Sequence, residues 1–515
     1  MRNVGILAIY LCLSCLWLWK GFSSRIIAGG MSTDIWNSLW NVDFLLDALE
    51  HGTSIFHSDR LHAPSGGTLW IPDIPNVLLL GLFVSMLGWG LGYQVWLILQ
   101  MTLLGFCMHA FARELGAKEG AWLAGCGVIF SGVFLSGIQN GATEGVSLFW
   151  IVLSVWFLWR LANHGRSEYW TWFISFVAAL TSWYAAVMIA VFACSLWVWK
   201  RQKRLLGVMG VWCIALFPLA MGMQEMSVGT NNLIGIKDPK LMEQVRRSIG
   251  SADIFSYVAP HPYLFPDFST FWKFGEDYVH SCYISWIFWL LLLVYRKEGY
   301  PWMKWAGGIC FVLSLGPVLV HNGAAVLFGN DKGIPLPYFL LEYLWGFGSL
   351  TLLYRFSFGV LFCIALHASL VVQGRKAWSF LALMIVEVFL WSPVQILPEW
   401  SKFPMEKEFS VLSSENGIVI NHPFVGGQPY LFEQILHKKK LFQTVNSPKT
   451  VEIQRILSDI EKKGCHVDTY EEPIYIVSHL QIEHMKQKED RYVQKAIEEC
   501  TVVYSSTELI IVELK

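Results

Sequence analysis

Residues 25–52 read RIIAGGMSTDIWNSLWNVDFLLDALEHG, and residues 61–70 read LHAPSGGTLW. This acidic stretch lies between one apolar segment, Val4 to Trp19, and a long series of others. In a chain that is mostly membrane, polar chemistry gathers in a few such places, because ionisable groups in hydrocarbon are costly. Thr33 or Asp34 is placed to cap a helix from about Ile35 to Glu50. Ile35, Leu39, Val42, Leu46 and Leu49 recur at helical spacing, with Trp36 and Trp40 beside them. That pattern predicts an amphipathic helix lying on the membrane surface.

The rest of the 515 residues explains why one polar loop matters. Hydrophobic residues make up 54% and charged residues only 15%, against about 25% charged in a soluble domain. The chain therefore reads as a polytopic membrane protein. Its net charge of −1 supplies no basic field for nucleic acid. The 26 tryptophans suit the aromatic belts of a multi-spanning protein. The first apolar segment lacks a small-x-small cleavage site, and Lys20, Gly21 and Phe22 follow it, so it reads as a retained helix.

Stretches able to span recur at 3–22, 93–112, 120–137, 143–160, 169–182, 184–199, 205–223, 281–295, 302–320, 353–373 and 377–392. The basic run Lys200-Arg201-Gln202-Lys203-Arg204, together with Arg160/Arg166, Arg296/Lys297 and Arg375/Lys376, marks cytoplasmic turns. Parity then places loops 24–75, 225–280 and 321–352 outside, with the N-terminus inside. On this count residues 76–89, which lead into Gly88, Gly90 and Gly92, form a re-entrant or interfacial helix. The alternative has that segment crossing and the first loop cytoplasmic.

The expected architecture is mainly α: a polytopic helical bundle of about eleven spans over residues 1–393, then an extracytoplasmic α/β domain over 394–515. In the latter, 417–420 and 474–477 read as buried strands, 451–463 and 480–499 as amphipathic helices, and 501–504 with 509–512 as a strand pair. Cys465 and Cys500 can form a disulfide if this part lies outside.

Several polar groups fall in the outer loops. Asp34 is either a helix cap or an acceptor-activating carboxylate. Asp43 and Asp47 share a helical face, which reads first as solvated, with Asp43, like Asp253 and His261, a candidate to line a cavity. His57, Asp59, Arg60 and His62 have no diagnostic metal-ligand spacing. Glu144 opens a membrane segment; it either favours a helix N-terminus or lines a polar cavity that Tyr184 can join. Asp253 and His261 sit in a long polar, aromatic loop that is either a lid or a structural cap. Arg355 stands at the outer end of a membrane helix, to snorkel to headgroups or to bind a lipid phosphate.

Taken in order, these residues resemble the bacterial multi-spanning glycosyltransferases of the GT-C fold. The resemblance rests on Thr33-Asp34-Ile35-Trp36 after a first helix, Ala63-Pro64-Ser65-Gly66-Gly67 and Asp253-Ile254-Phe255-Ser256-Tyr257-Val258-Ala259-Pro260. It continues through Leu315-Gly316-Pro317, Ile334-Pro335-Leu336-Pro337-Tyr338, an arginine segment and an external α/β domain. It implies inverting transfer of a sugar from a polyprenyl-phosphate donor to an extracytoplasmic glycan, lipid or protein acceptor, in the cytoplasmic membrane. The family's first-loop carboxylate carries over to Asp34, and phosphate binding more loosely to Arg355. The paired second acid of many members has no close counterpart, Asp43 and Asp47 being a helical stretch away. Asp34 is expected to face a cavity shared with the second outer loop and the Arg355 helix.

No Gly-rich nucleotide loop is present in the sequence, which suits a lipid-linked donor. No cofactor is implied, and metal dependence stays open. A lipid-linked glycan flippase or transporter is the competing reading, for which Glu387 and His367 are intramembrane candidates. A non-catalytic scaffold is the other.

Overall fold

The computed structural model describes residues 2–22, 26–30, 33–69, 71, 73–165, 168–228, 239–248, 250–259, 273–274, 278–279, 281–321, 324–328, 332–344, 347–394, 398–403, 406–413, 417–422, 429–443, 450–465, 470, 472–479, 490–506 and 509–514. His261, Glu276, Asp277 and His280 lie outside the described residues.

The helices, in chain order, are α1 (Arg2–Trp17), α2 (Ile35–His51), α3 (Ile74–Leu87), α4 (Trp89–Glu114), α5 (Ala121–Ile129), α6 (Gly132–Asn140), α7 (Thr143–Val146), α8 (Phe149–His164), α9 (Glu168–Thr181), α10 (Trp183–Lys200) and α11 (Lys203–Val228). There follow α12 (Pro239–Arg246), α13 (Trp286–Val294), α14 (Pro301–Ser314), α15 (Tyr338–Leu341), α16 (Ser357–Val371), α17 (Arg375–Trp391), α18 (Glu406–Ser413), α19 (Pro429–His437), α20 (Val451–Lys463) and α21 (Asp490–Glu499). Two compact units emerge. One holds Met1–Gly30, Pro72–Met221 and Asp238–Ser401; the other holds Met31–Ile71, Gly222–Lys237 and Lys402–Lys515.

The first unit is helical, and helices fall on all eleven stretches expected from hydropathy. Five among the described residues are long and apolar enough to cross a bilayer: Trp89–Glu114, Ala121–Asn140, Trp183–Lys200, Lys203–Gly222 and Leu353–Val371. Serines start three of the helices. Ser131, Ser182 and Ser285 each accept a hydrogen bond from a backbone N–H in the first turn, at Phe134, Tyr184 and Ile287. α4 is the central post, packed by α1, α3, α5 and α8. Gly88 (φ 78°) reverses the chain from α3 into α4, and the two pack together. A Cβ on Gly92 would lie 2.7 Å from the Val84 backbone, so only glycine allows this approach. α3 has 14 residues, about 21 Å of helix, less than a hydrocarbon core of about 30 Å.

Glu387 is 3% exposed on α17. It accepts hydrogen bonds from Tyr283 Oη, Ser285 Oγ and Trp286 N, all at 2.6 Å. The carboxylate thus caps the N-terminus of α13, where orphan N–H groups attract negative charge. An acid that raised a transport reading in the sequence is spent on holding two helices together.

The second unit contains a five-stranded sheet in the order Lys440–Leu441, Ile418–His422, Ile474–His479, Leu509–Leu514, Thr501–Ser505. The first three strands run parallel, and the last two add antiparallel. Ile418, Ile420, Ile474, Ile476 and Leu514 present a face to Ile453, Ile456, Leu457 and Ile460 of α20 and to Val493 and Ala496 of α21. These elements agree with the periodicity of the sequence, α21 covering the second half of the helix expected over 480–499, whose residues 480–489 lie outside the described residues. Cys465 and Cys500 form a disulfide at the base of α20 and α21.

α2 departs from expectation. Ile35, Trp36, Leu39, Trp40 and Val42 are fully buried, and α2 packs on α19. Trp40 Nε1 donates to Gln434 Oε1 at 3.0 Å, and Trp36 packs against Phe432 and Phe403. From Ile35 to Val42 the stripe read as membrane-facing is packed inside the protein, while Leu49 at its far end stays exposed. Helical periodicity reveals an apolar face but not its partner.

Candidate functional site

The first unit holds a cleft lined by α6, α7, the start of α10 and the start of α16. Glu144, Tyr184 and Arg355 all line it. Arg355 Nη1 donates to Glu144 Oε1 at 2.9 Å across 211 residues of sequence. Both side chains keep about a fifth of their surface exposed, 20% for Arg355 and 19% for Glu144.

Tyr184 fixes the arginine from the other side. The guanidinium carbon lies 5.2 Å from its ring centroid, within cation–π range. The Tyr184 hydroxyl accepts hydrogen bonds from Thr351 N (3.0 Å) and Leu352 N (2.7 Å), which ties the turn before Arg355 to α10. Ser182 sets this geometry by capping α10 two residues earlier. Of the residues expected to line a cavity, Glu144 and Tyr184 thus meet Arg355, and the arginine does not extend alone to the membrane surface.

Asp73 was not singled out in the sequence. It stands just before α3 in left-handed backbone (φ 58°) and is 2% exposed. Its Oδ1 accepts from Asn76 Nδ2 at 2.6 Å. Asn76 Oδ1 in turn accepts from Gln100 Nε2 and Trp150 Nε1. Oδ2 of Asp73 is buried and makes no hydrogen bond of adequate geometry, although the Thr143 side chain stands beside it. Burial pushes the Asp73 carboxyl well above the usual carboxylate range; polar groups of Asn76 and Thr143 offset this in part, and neighbouring Glu144 adds to the rise. The available signal was Asp73-Ile74-Pro75-Asn76, a polar helix start leading into an apolar run.

Asp34 belongs to the second unit, at the N-cap position of α2, with φ −66° and ψ −1°. Its side chain makes no cap hydrogen bond, so capping does not account for its position. Asp43 is held in an ion-pair cluster rather than on a solvated face. Arg60 Nη1 reaches Asp43 at 2.7 Å and its Nη2 reaches Asp47 at 2.5 Å, while Lys438 Nζ adds a contact to Asp43 at 3.0 Å. Acids at i and i+4 stand one turn apart, and one guanidinium fork spans them.

Asp253 lies outside the lining of the cleft. Its Oδ1 accepts from Phe255 N at 2.8 Å, capping the turn Ile254–Tyr257, and its Oδ2 is 3.4 Å from His321 Nδ1. Among the described residues no group of three or more His, Cys, Asp or Glu is arranged to hold a metal ion.

No family model and no curated protein matches the sequence. Solved structures do. The apo crystal structure of ArnT from Cupriavidus metallidurans matches with a TM-score of 0.50 and 11% identity, covering 100% of this chain and 99% of that one. The crystal structure of the same protein bound to undecaprenyl phosphate gives a TM-score of 0.49 at 12% identity, over 99% and 98% of the two chains. The arabinofuranosyltransferase AftD from Mycobacteria matches with a TM-score of 0.50 and 13% identity, over 93% of this chain and 37% of that longer one. With α/β elements after a helical bundle and a match along the whole length, the chain has the GT-C fold of multi-pass membrane glycosyltransferases.

Proposed function

We propose that the chain is an integral-membrane glycosyltransferase that moves a sugar from a polyprenyl-phosphate donor to an acceptor on the extracytoplasmic face. The observation that carries this reading is the cleft with Arg355 poised between Glu144 and Tyr184 at the end of an apolar helix. A fixed guanidinium at a membrane boundary suits a lipid phosphate, since its planar fork matches phosphate oxygens. The fold shared with two glycosyltransferases supports the reaction class.

In the proposed inverting reaction, the acceptor oxygen forms a bond to the anomeric carbon while the bond from that carbon to the phosphate oxygen breaks. The acceptor proton passes to a carboxylate acting as base, the role proposed for Asp34 on the resemblance alone. The bonding electrons leave with the polyprenyl phosphate, whose growing charge Arg355 offsets. Glu144 then acts as the resting counter-ion that the phosphate replaces. The acceptor, inverting stereochemistry and outer-face orientation are parts of this proposal.

The test is transfer by purified full-length protein from a polyprenyl-phosphate sugar to the acceptor fraction of the host envelope. Asp34→Asn should lower transfer about 10²–10⁴-fold, the usual contribution of general-base catalysis. Full activity in a folded Asp34→Asn protein would falsify the base assignment and favour a flippase or scaffold.

A further inference from the structure

A second cavity lies between α13, α14 and α16. α13 and α14 are joined by the short turn 295–300, yet each packs on α16 and they scarcely touch one another. A groove runs through the gap between them. Trp289 and Leu292 of α13 and Phe311 of α14 form its walls, and Val360 and Ile364 of α16 its floor. Gly307 and Gly308 supply no side chain to fill it, and a Cβ on Gly308 would meet nothing within 4 Å. Leu293, Val294, Trp305 and Ile309 beside it are exposed apolar residues, as expected of surfaces that face lipid.

One end of this groove is polar. Lys304 and His367 line it together. Lys304 is exposed and anchors its Nζ on Arg296 O at 2.8 Å. His367 is 4% exposed, and its Nε2 is buried without a hydrogen-bond partner. A buried polar atom left unpaired beside hydrocarbon is costly. An apolar trough closed by a cation and an unsatisfied imidazole matches an amphiphile with a negative head.

We propose that the groove between α13, α14 and α16 is a binding site for an anionic membrane lipid, with its chain over Gly307 and Gly308 and its headgroup at Lys304 and His367. The lipid comes from the leaflet bordered by Arg296 and Lys297. Bulk lipid can fill any gap in a bundle; here the polar end selects the headgroup. The site is separate from the Arg355 cleft, since the two share no lining residue, and it stands independently of the transferase reading.

Native mass spectrometry of the full-length protein, exchanged into micelles containing phosphatidylglycerol or phosphatidylcholine, reads the site directly. Wild type should retain phosphatidylglycerol preferentially. Lys304→Gln should weaken that retention about tenfold, the loss expected for one charge-assisted hydrogen bond, and Lys304→Arg should restore it. Gly308→Leu, at a position with open space, should block the chain and remove retention while the protein still elutes as a folded species. Free glycerol phosphate should not compete, because the chain supplies most of the buried surface. Equal retention of both lipids by wild type, or wild-type retention of phosphatidylglycerol by Lys304→Gln and Gly308→Leu, would overturn the proposal.

Discussion

Two acidic side chains of the helical unit, Glu387 and Glu144, show how surroundings separate a structural carboxylate from a chemically available one. Glu387 is almost wholly buried and is saturated by two hydroxyls and a helix N-terminus. Glu144 shares an open cleft with Arg355, and both retain contact with solvent. The first has no capacity left for a ligand. The second holds a cation that an incoming phosphate can take over. Burial alone would rank Glu387 as the more conspicuous site, so the useful measure is how many bonds remain to be made.

The largest expected effect sharpens this contrast on the functional side. Arg355→Ala should reduce transfer about 10²–10³-fold, the range for removing a donor to a developing oxyanion. Arg355→Lys should recover only part, since an ammonium keeps the charge and loses the planar fork. The readout is single-turnover transfer with the donor titrated. Unchanged activity in Arg355→Ala would remove the cleft from the mechanism.

Glu387→Ala tests the opposite side of the comparison. It leaves Tyr283 Oη, Ser285 Oγ and Trp286 N without their acceptor, at about 1–3 kcal/mol for a buried group left unsatisfied. Thermal unfolding in detergent should shift down, while transfer per folded molecule holds. A loss of activity at unchanged stability would show that Glu387 is more than a cap.

His437 supplies an effect in the second unit that is absent at neutral pH and grows with acid. It is 2% exposed; its Nδ1 accepts from Lys439 N, and its Nε2 is buried without a partner. Burial, reinforced by Lys439 and Lys438, holds its pKa down at about 3, against an ordinary 6.5. A folded-state pKa below the unfolded one gives stability that is present above pH 6.5 and lost as pH falls toward 3. The slope approaches about 1.4 kcal/mol per pH unit in that window. Acid unfolding of wild type and His437→Gln, followed by tryptophan fluorescence, should show the variant with the shallower dependence.

Asp73 carries a pH dependence of the opposite sign. Its folded-state pKa is raised, so its contribution is favourable at acid pH and is lost as pH rises above the ordinary carboxylate range. Asp73→Asn removes the ionisable group and keeps a residue tolerant of φ 58°. It should raise the midpoint at pH 8 and have little effect at pH 4. An equal shift at both values would show that its charge is not the source.

Much of the fold was legible because its signals are local. Apolar runs of spanning length and alternating strands in the last 120 or so residues act over a short stretch of chain. α20 was read at its observed limits, Val451–Lys463, for this reason. The short strand Lys440–Leu441 and helix α19 were missed. The strand is two residues long, and the start signal of α19, Pro429 after Gly426-Gly427, was passed over.

The site was only half legible. Arg355, Glu144 and Tyr184 each stood out as polar or aromatic groups at the ends of apolar segments, which composition alone can reveal. Asp73 did not, because its interest comes from the burial of an oxygen, a property of neighbours distant in sequence. Asp43 was read as solvated because Arg60 and Lys438 reach it from other segments.

The sequence by itself determined that this is a multi-pass helical protein with an α/β end, since hydrophobic length and period are written along the chain. Tertiary structure alone decided which acid meets Arg355, that Glu387 caps α13, and that the apolar stripe of α2 is spent on α19. The physical reason is range. Helix and strand formation depend on residues within a few positions, whereas the partner of a charge is chosen by packing, here across 211 residues from Glu144 to Arg355.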